Sequence, residues 1–298
     1  MTLTTQQAPA TNEILSQLQL LSNNELNLGH FFDKMYLTGR PRKMTYDMVI
    51  EAFRCKTTYY CETWKGVYKY LLENKNWILP CYGNFLKTVK TFASYLVILI
   101  NKTVMYNYME FMIRPDRVSF VDSTSLPVCK TIRAGRHKTM KGLAKFSKST
   151  TGWYLGLKLH LICDYSTRKV ISYSITESTY DDRRFLGHIM LSPMFKYTKT
   201  LFVADKGYLG PKLETLARET GNYFISGKKA SKKQRGLLSQ FDIYLIHNRA
   251  KIETLFSNLK LNYNLVSTRS RSKLGYFFNY IFGIFSLVQG RSSFVIWV

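Results

Sequence analysis

Negative charge is what this chain has least of. Asp and Glu number 19 against 43 Lys and Arg, a formal net charge of +24 over 298 residues. Solubility needs only a small imbalance, so an excess of this size points to a polyanionic partner. Nucleic acid fits best, because each cation that displaces a condensed counterion from phosphate gains free energy. Cysteine is sparse as well: Cys55, Cys61, Cys81, Cys129 and Cys163 form no C-x-x-C pair and leave one over, which argues against a zinc cluster or a disulfide framework. The first dozen residues lack the basic start and apolar run of a secretory signal, so no export is expected. The longest uncharged run, Leu274 to Gly290, is just too short for a spanning helix and contains Asn279 and Gln289, so it reads as a buried helix and no membrane partner is expected.

What is present suffices for a large core. Hydrophobic residues make up 46% and aromatics 15%, whereas a disordered chain is poor in both. The length allows one large domain or two ordinary ones. From Thr11 to about Asn107 apolar residues such as Ile14, Leu18 and Leu21 recur at helical spacing, and helices are expected over 45–55, 63–74 and 83–107. Residues 1–114 thus form a helical region, suited either to reading DNA ends or to capping the catalytic part of the chain, although the short glycine turn of a helix-turn-helix is missing.

At Arg114-Pro115 the pattern changes. Strands are expected over 117–122, 152–163, 169–176, 200–204 and 222–226, and helices over 181–190, 211–220 and 249–261. The last helix carries Ile252, Leu255, Phe256 and Leu259 on one face. Three early strands followed by alternating helix and strand give a mixed α/β order. Residues 115–290 are expected to be one α/β domain, with 291–298 as an irregular tail.

Because carboxylates are rare, those at strand ends carry information. Asp122 closes the first expected strand and Asp205 a later one, and ligands of open α/β sheets bind beyond such ends. Glu253, the last acidic residue of the chain, shares a helical stripe with Arg249 and Lys260. Hard oxygen ligands of this kind hold magnesium, and two ions about 4 Å apart can serve phosphodiester cleavage. Alone, Arg249 and Glu253 read equally as an ordinary i,i+4 pair. Asp181 or Asp182 reads as a helix N-cap.

The run Arg249-x3-Glu253-x6-Lys260, preceded by Val203-Ala-Asp205-Lys-Gly-Tyr208, by Gly156-x-Lys158-Leu-His160 and by Phe120-Val-Asp122-Ser-Thr, resembles the DDE transposases of bacterial insertion sequences, in the group with the Tyr-Arg-Glu-Lys signature. The signature's tyrosine position holds Ile246, with Tyr244 nearby. The resemblance implies an RNase H-like mixed sheet with flanking helices. It also implies two Mg2+ ions, replaceable by Mn2+, on Asp122, Asp205 and Glu253, a supporting role near the metals as the alternative to capping for Asp181 or Asp182, and cleavage at element ends followed by strand transfer into target DNA. The expected partners are double-stranded element ends and target, with a homodimer when two ends are paired, no small-molecule cofactor and a nucleoid location in the cytoplasm. A nuclease without strand transfer and an inactive DNA-binding remnant are the alternatives.

Candidate DNA contacts are indicated by charge. Lys130, Arg133, Arg136, Lys138, Lys141, Lys145 and Lys148 lie in one stretch without an acidic residue, expected as a loop along phosphates. A second cluster is Lys228, Lys229, Lys232, Lys233 and Arg235, and a third is Arg269, Arg271 and Lys273. Lys158 and His160 share one face of a strand, from which they can approach the active centre and DNA, with a structural hydrogen bond as the equal alternative for His160, and Arg249 and Lys260 complete the set.

Overall fold

The computed structural model describes residues 43–58, 63–149, 152–227, 239–261, 265 and 270–293. Among these, helices come first: α1 (Tyr46–Thr58), α2 (Trp64–Asn74) and α3 (Tyr82–Ile113). Thr63 starts α2 by accepting a hydrogen bond from the Gly66 N–H. The 32-residue α3 is about 48 Å long at 1.5 Å per residue. It stops where Pro115 forces Arg114 into an extended conformation.

A six-stranded sheet comes next, made of β1 (Val118–Pro127), β2 (Lys145–Ser149), β3 (Gly152–Asp164), β4 (Val170–Glu177), β5 (Leu201–Ala204) and β6 (Tyr223–Ser226). The strands run in the order β2-β3-β1-β5-β6, and β4 also pairs with β3. The 13-residue β3 serves two partners, β2 along Gly152–Gly156 and β4 along Leu157–Cys163. β1 is antiparallel to β3 and parallel to β5, which is parallel to β6. Interleaved and later helices are α4 (Asp182–Leu191), α5 (Pro211–Glu219), α6 (Gln240–Asn248), α7 (Ala250–Leu261) and α8 (Lys273–Ser293). An antiparallel trio continued by two parallel strands, with helices on both faces, is the RNase H-like arrangement.

Three details differ from the expectations drawn from sequence. β1 does not end at Asp122; pairing with β3 carries it on to Pro127, opposite Gly156. The basic stretch after Cys129 is no extended loop, since it folds into a 3-10 turn (Thr131–Arg136) and then β2, over buried Ala134, Met140 and Ala144. The third lies in α6, which was not expected and begins at a capping box where Ser239 and Asp242 satisfy each other's backbone N–H.

Alternation along the strands sorts the core into two layers. Phe120, Leu157, Leu159, Leu161 and Val203 face α7 and α8, whereas Val121, Ile162, Phe202 and Ala204 face α4 and α5. A third cluster joins α1, α2 and the first half of α3 to Phe278 and Phe282 of α8, with the Phe53 and Phe282 rings 5.3 Å apart. The single helix α3 enters all three clusters, through Phe92, Ile100 and Phe111. The apolar run near the C-terminus is thus core on two sides, and among the described residues no helix is long and apolar enough to cross a membrane.

At Gly156 β3 passes close to β1: a Cβ there would meet the Leu126 carbonyl oxygen at 2.3 Å. Backbone cannot rotate away as a side chain can. Gly156→Ala is therefore expected to cost about 1–3 kcal/mol, read as a Tm lower by several degrees in thermal unfolding. Gly83→Ala, which meets nothing within 4 Å, is expected to leave Tm unchanged or slightly raised.

Candidate catalytic carboxylate site

The parallel register of β1 and β5 sets the site. Their last paired residues are Val121 and Ala204, so Asp122 and Asp205 stand side by side just beyond the pairing. Each lies two residues past a side chain of the α7 layer, Phe120 and Val203, and each therefore points to that layer. There α7 brings Glu253 in its first turn.

One guanidinium joins the three. Arg249 Nη1 donates to Asp122 Oδ2 at 2.9 Å, and Nη2 donates to Glu253 Oε1 at 2.9 Å and lies 3.6 Å from Asp205 Oδ1. The arrangement is graded in depth. Asp122 is 19% exposed, while Asp205 and Glu253 are 50% and 56% exposed. Burial pushes the Asp122 carboxyl up to about 6; the Arg249 charge and the Ser123 N–H, which donates to Oδ1 at 2.8 Å, hold it down, while Asp205 and Asp182 add to the rise. Lys260 sits on the same side of α7, with its ammonium pulled below the usual range by burial and opposed by nearby Asp122.

Three hard carboxylates on one cation are a donor set that suits a divalent ion. Among the described residues no group of three or more His, Cys, Asp or Glu side chains closes on a common point, because the guanidinium stands between these three.

The α4 layer holds a second polar group. Lys158 donates to Asp182 Oδ1 at 3.1 Å and to the Tyr180 carbonyl at 2.9 Å. His160 is fully buried, stacks on Phe185 at 4.5 Å and contacts the Thr176 hydroxyl at 2.9 Å through Nε2. Burial pushes its imidazole down to about 4, so at neutral pH its 3.5 Å approach to Asp182 is no ion pair. Lys158 and His160, expected near DNA, point to the face opposite Asp122, and both have internal partners. Arg249, likewise expected on DNA, is 16% exposed and taken up by the carboxylates.

Other expected residues separate cleanly. Asp181 caps α4 by accepting from the Arg183 N–H, while Asp182 is the one that approaches the carboxylate site. All seven cations from Lys130 to Lys148 are exposed. Lys228, Lys229, Lys232, Lys233, Arg235 and Arg269 lie outside the described residues. Ile246 packs against the core, whereas Tyr244 is 53% exposed. Sequence reasoning missed Tyr208, which lies on the 3-10 turn after Asp205, is 2% exposed, and places its hydroxyl near Asp182, Asp122 and Asp205 without a well-formed hydrogen bond. The signal was its spacing, one turn beyond a strand-end aspartate.

Arg249→Gln in chelator-treated protein is expected to lower Tm more at pH 8 than at pH 5. Because Asp122 binds its proton more tightly when folded, it favours the fold below its unfolded value of 3.8, and this advantage is lost as pH rises through about 6. At pH 8 the largely buried Asp122 without its partner must carry an unpaired charge or keep its proton against the solution pH, at a cost of about 1–3 kcal/mol. Equal deficits at the two pH values would show that the guanidinium does not stabilise the Asp122 carboxylate.

Among solved structures, a piggyBac transposase synaptic complex with hairpin DNA aligns at 10% identity and a TM-score of 0.40, over 60% of this chain and 47% of that one. The chain thus spans about half the length of that relative. A pre-cleavage Mos1 transpososome aligns at 11% identity and a TM-score of 0.24, over 85% of this chain and 80% of that one. A Mos1 transposase paired-end complex with the left transposon end gives 11% and 0.24, over 86% and 98%. No curated protein matches the chain. At such TM-scores the assignment rests on the family match alone: a model described as a transposase DDE domain covers residues 113–273, more than half of the chain. That span holds the whole sheet, the three carboxylates and Arg249, and the chain belongs to the DDE transposase domain family.

Proposed function

We propose that the chain is a DNA transposase that cuts at the ends of an insertion sequence and joins the freed 3′-hydroxyl to target DNA. The observation that carries this reading is the convergence of Asp122, Asp205 and Glu253 on one cation beyond the β1 and β5 pairing, in a chain of the DDE domain family. Residues 115–290 are the catalytic unit in this reading, and the helices of residues 1–114 brace it through α3. The strongly basic surface supplies the electrostatic part of binding to double-stranded element ends and target. Pairing of two ends calls for two copies of the chain.

Asp122, Asp205 and Glu253 would hold two Mg2+ ions, for which Mn2+ would substitute. When bound, such ions activate the attacking oxygen and stabilise charge on the leaving oxygen. The protein's share is to fix the ligands. Asp122 is held by its strand and by the Ser123 N–H, and Glu253 by the first turn of α7. Arg249 neutralises the cluster and joins it to α7, and Lys260 brings a second positive charge toward the reacting phosphate. The exposed cations from Lys130 to Lys148 track the phosphates leading away from the cut. No side-chain nucleophile is required, and no covalent protein-DNA intermediate forms.

Two measurements bear on this reading. In a Mg2+- or Mn2+-dependent cleavage assay on the DNA ends flanking its own coding sequence, Asp205→Ala is expected to lose at least about a hundredfold in rate. Equal cleavage by both proteins overturns the carboxylate assignment, and hydrolysis without joined product from a pre-cut end favours a nuclease. For binding, Arg133, Arg136 and Lys141 changed together to Ala are expected to reduce the slope of log K against log salt by about 2 to 3, at about 0.9 per lost phosphate contact. An unchanged slope removes these residues from the DNA surface.

A further inference from the structure

The β2–β3 hairpin carries two large aromatic side chains that the core does not use. Trp153 is 60% exposed and Phe146 is 50% exposed. The register pairs Lys148 with Trp153 and Phe146 with Leu155, so Phe146, Lys148 and Trp153 share one face of the hairpin. Leu155 and Leu157 continue that face into the layer beneath α7 and α8, and further along β3 Leu161 is paired with Asp122. The aromatic face and the carboxylates therefore look out of the same side of the sheet. From Trp153 to Leu161 the strand covers about 27 Å at 3.3–3.4 Å per residue.

The hairpin is held firmly. The Thr131 hydroxyl donates to the Trp153 carbonyl at 3.0 Å, the Val128 N–H to the Leu155 carbonyl at 3.0 Å, and the Ser178 hydroxyl to the Lys145 carbonyl at 2.6 Å. Gly156 fixes its root against β1. Backbone held in this way fixes the positions from which the two rings project, which lowers the ordering cost of using them as a contact surface. The stretch that carries them selects the partner: no acidic residue occurs from Ser123 to Cys163, and the acid that strand pairing adds to this face, Glu177, sits opposite Leu157, four residues along β3 from Trp153. Diagonal neighbours on a strand pair lie about 7 Å apart, enough for one flat ring to stack between two others at about 3.4 Å from each. A base within a duplex has no free face to offer; an unpaired base has two.

Building on the DNA reading above, we propose that Phe146 and Trp153, with Lys148 on the neighbouring phosphate, form a stacking platform for unpaired DNA nucleotides. It lies on the order of eight nucleotides along the strand from the phosphate at the carboxylates, at about 3.4 Å per nucleotide. Its contribution is to hold a single strand opened at that distance from the cut, separately from the phosphate contacts that bind duplex.

The test uses the full chain, labelled dT16 and a labelled 16-base-pair duplex in anisotropy titrations, with thermal melts to confirm folding. Trp153→Ala and Phe146→Ala are each expected to weaken dT16 about tenfold while duplex affinity stays within about threefold, and Trp153→Phe is expected to restore most of the loss. Equal losses on both probes, or no loss on dT16, overturn the platform. So does self-association of wild type in sedimentation that Trp153→Ala abolishes, which would assign the face to a second copy. Wild type that binds duplex but not dT16 overturns the platform and leaves the DNA reading standing, whereas wild type that binds neither probe overturns both.

Discussion

The site depends on a register. β1 and β5 run parallel, and their pairing ends at Val121 and Ala204, so the next residue of each strand is an aspartate turned to the same side. A shift by one residue in either strand would send one carboxylate to the α4 layer and leave the other alone. The register is guarded by burial on both faces, since Phe120 and Val203 fill one layer and Val121, Phe202 and Ala204 the other. Position and polarity of the site thus result from the hydrophobic pattern of two short strands.

Around this pair the protein arranges charge by depth. Asp122, the least exposed of the three, is covered by the Arg249 guanidinium and the Ser123 N–H, while Asp205 and Glu253 remain open to solvent. A positive centre among three carboxylates offsets their mutual repulsion. Behind the sheet, Lys158, His160 and Asp182 form a separate polar group that ties β3 to the start of α4. It borders the site through the charge of Asp182 while facing the other layer.

The helical region is structurally continuous with this sheet. α3 enters all three clusters, and α8 returns to pack Phe278 and Phe282 against Phe53. Removal of the first helices would uncover part of α8, whose other side covers the sheet through Tyr280 and Ile284. The N-terminal helices and the catalytic layer therefore share one framework.

The sequence by itself determined the elements and their order. Periodicity located α1 to α3, the strands β1 and β3 to β6, and α7, though not β2 or α6, and the motifs around Asp122, Asp205 and Glu253 identified the family, because both signals are local in the chain. Tertiary structure decided what depends on faces and partners. Alternation showed that Lys158 and His160 share a face, yet only the pairing of Ser125 with Lys158 and of Ser123 with His160 revealed that this face is opposite Asp122. In the sequence Arg249 and Glu253 passed for a helix ion pair; the fold joins them to two strands more than forty residues away in the chain. The basic stretch after Cys129 read as a loop because its charges hide the small apolar set of Ala134, Met140 and Ala144, and only packing on β3 turns it into a hairpin with Trp153 and Phe146 exposed. Local pattern specifies which residues form an element, whereas the side of the sheet on which each side chain ends depends on the neighbours that pair with it.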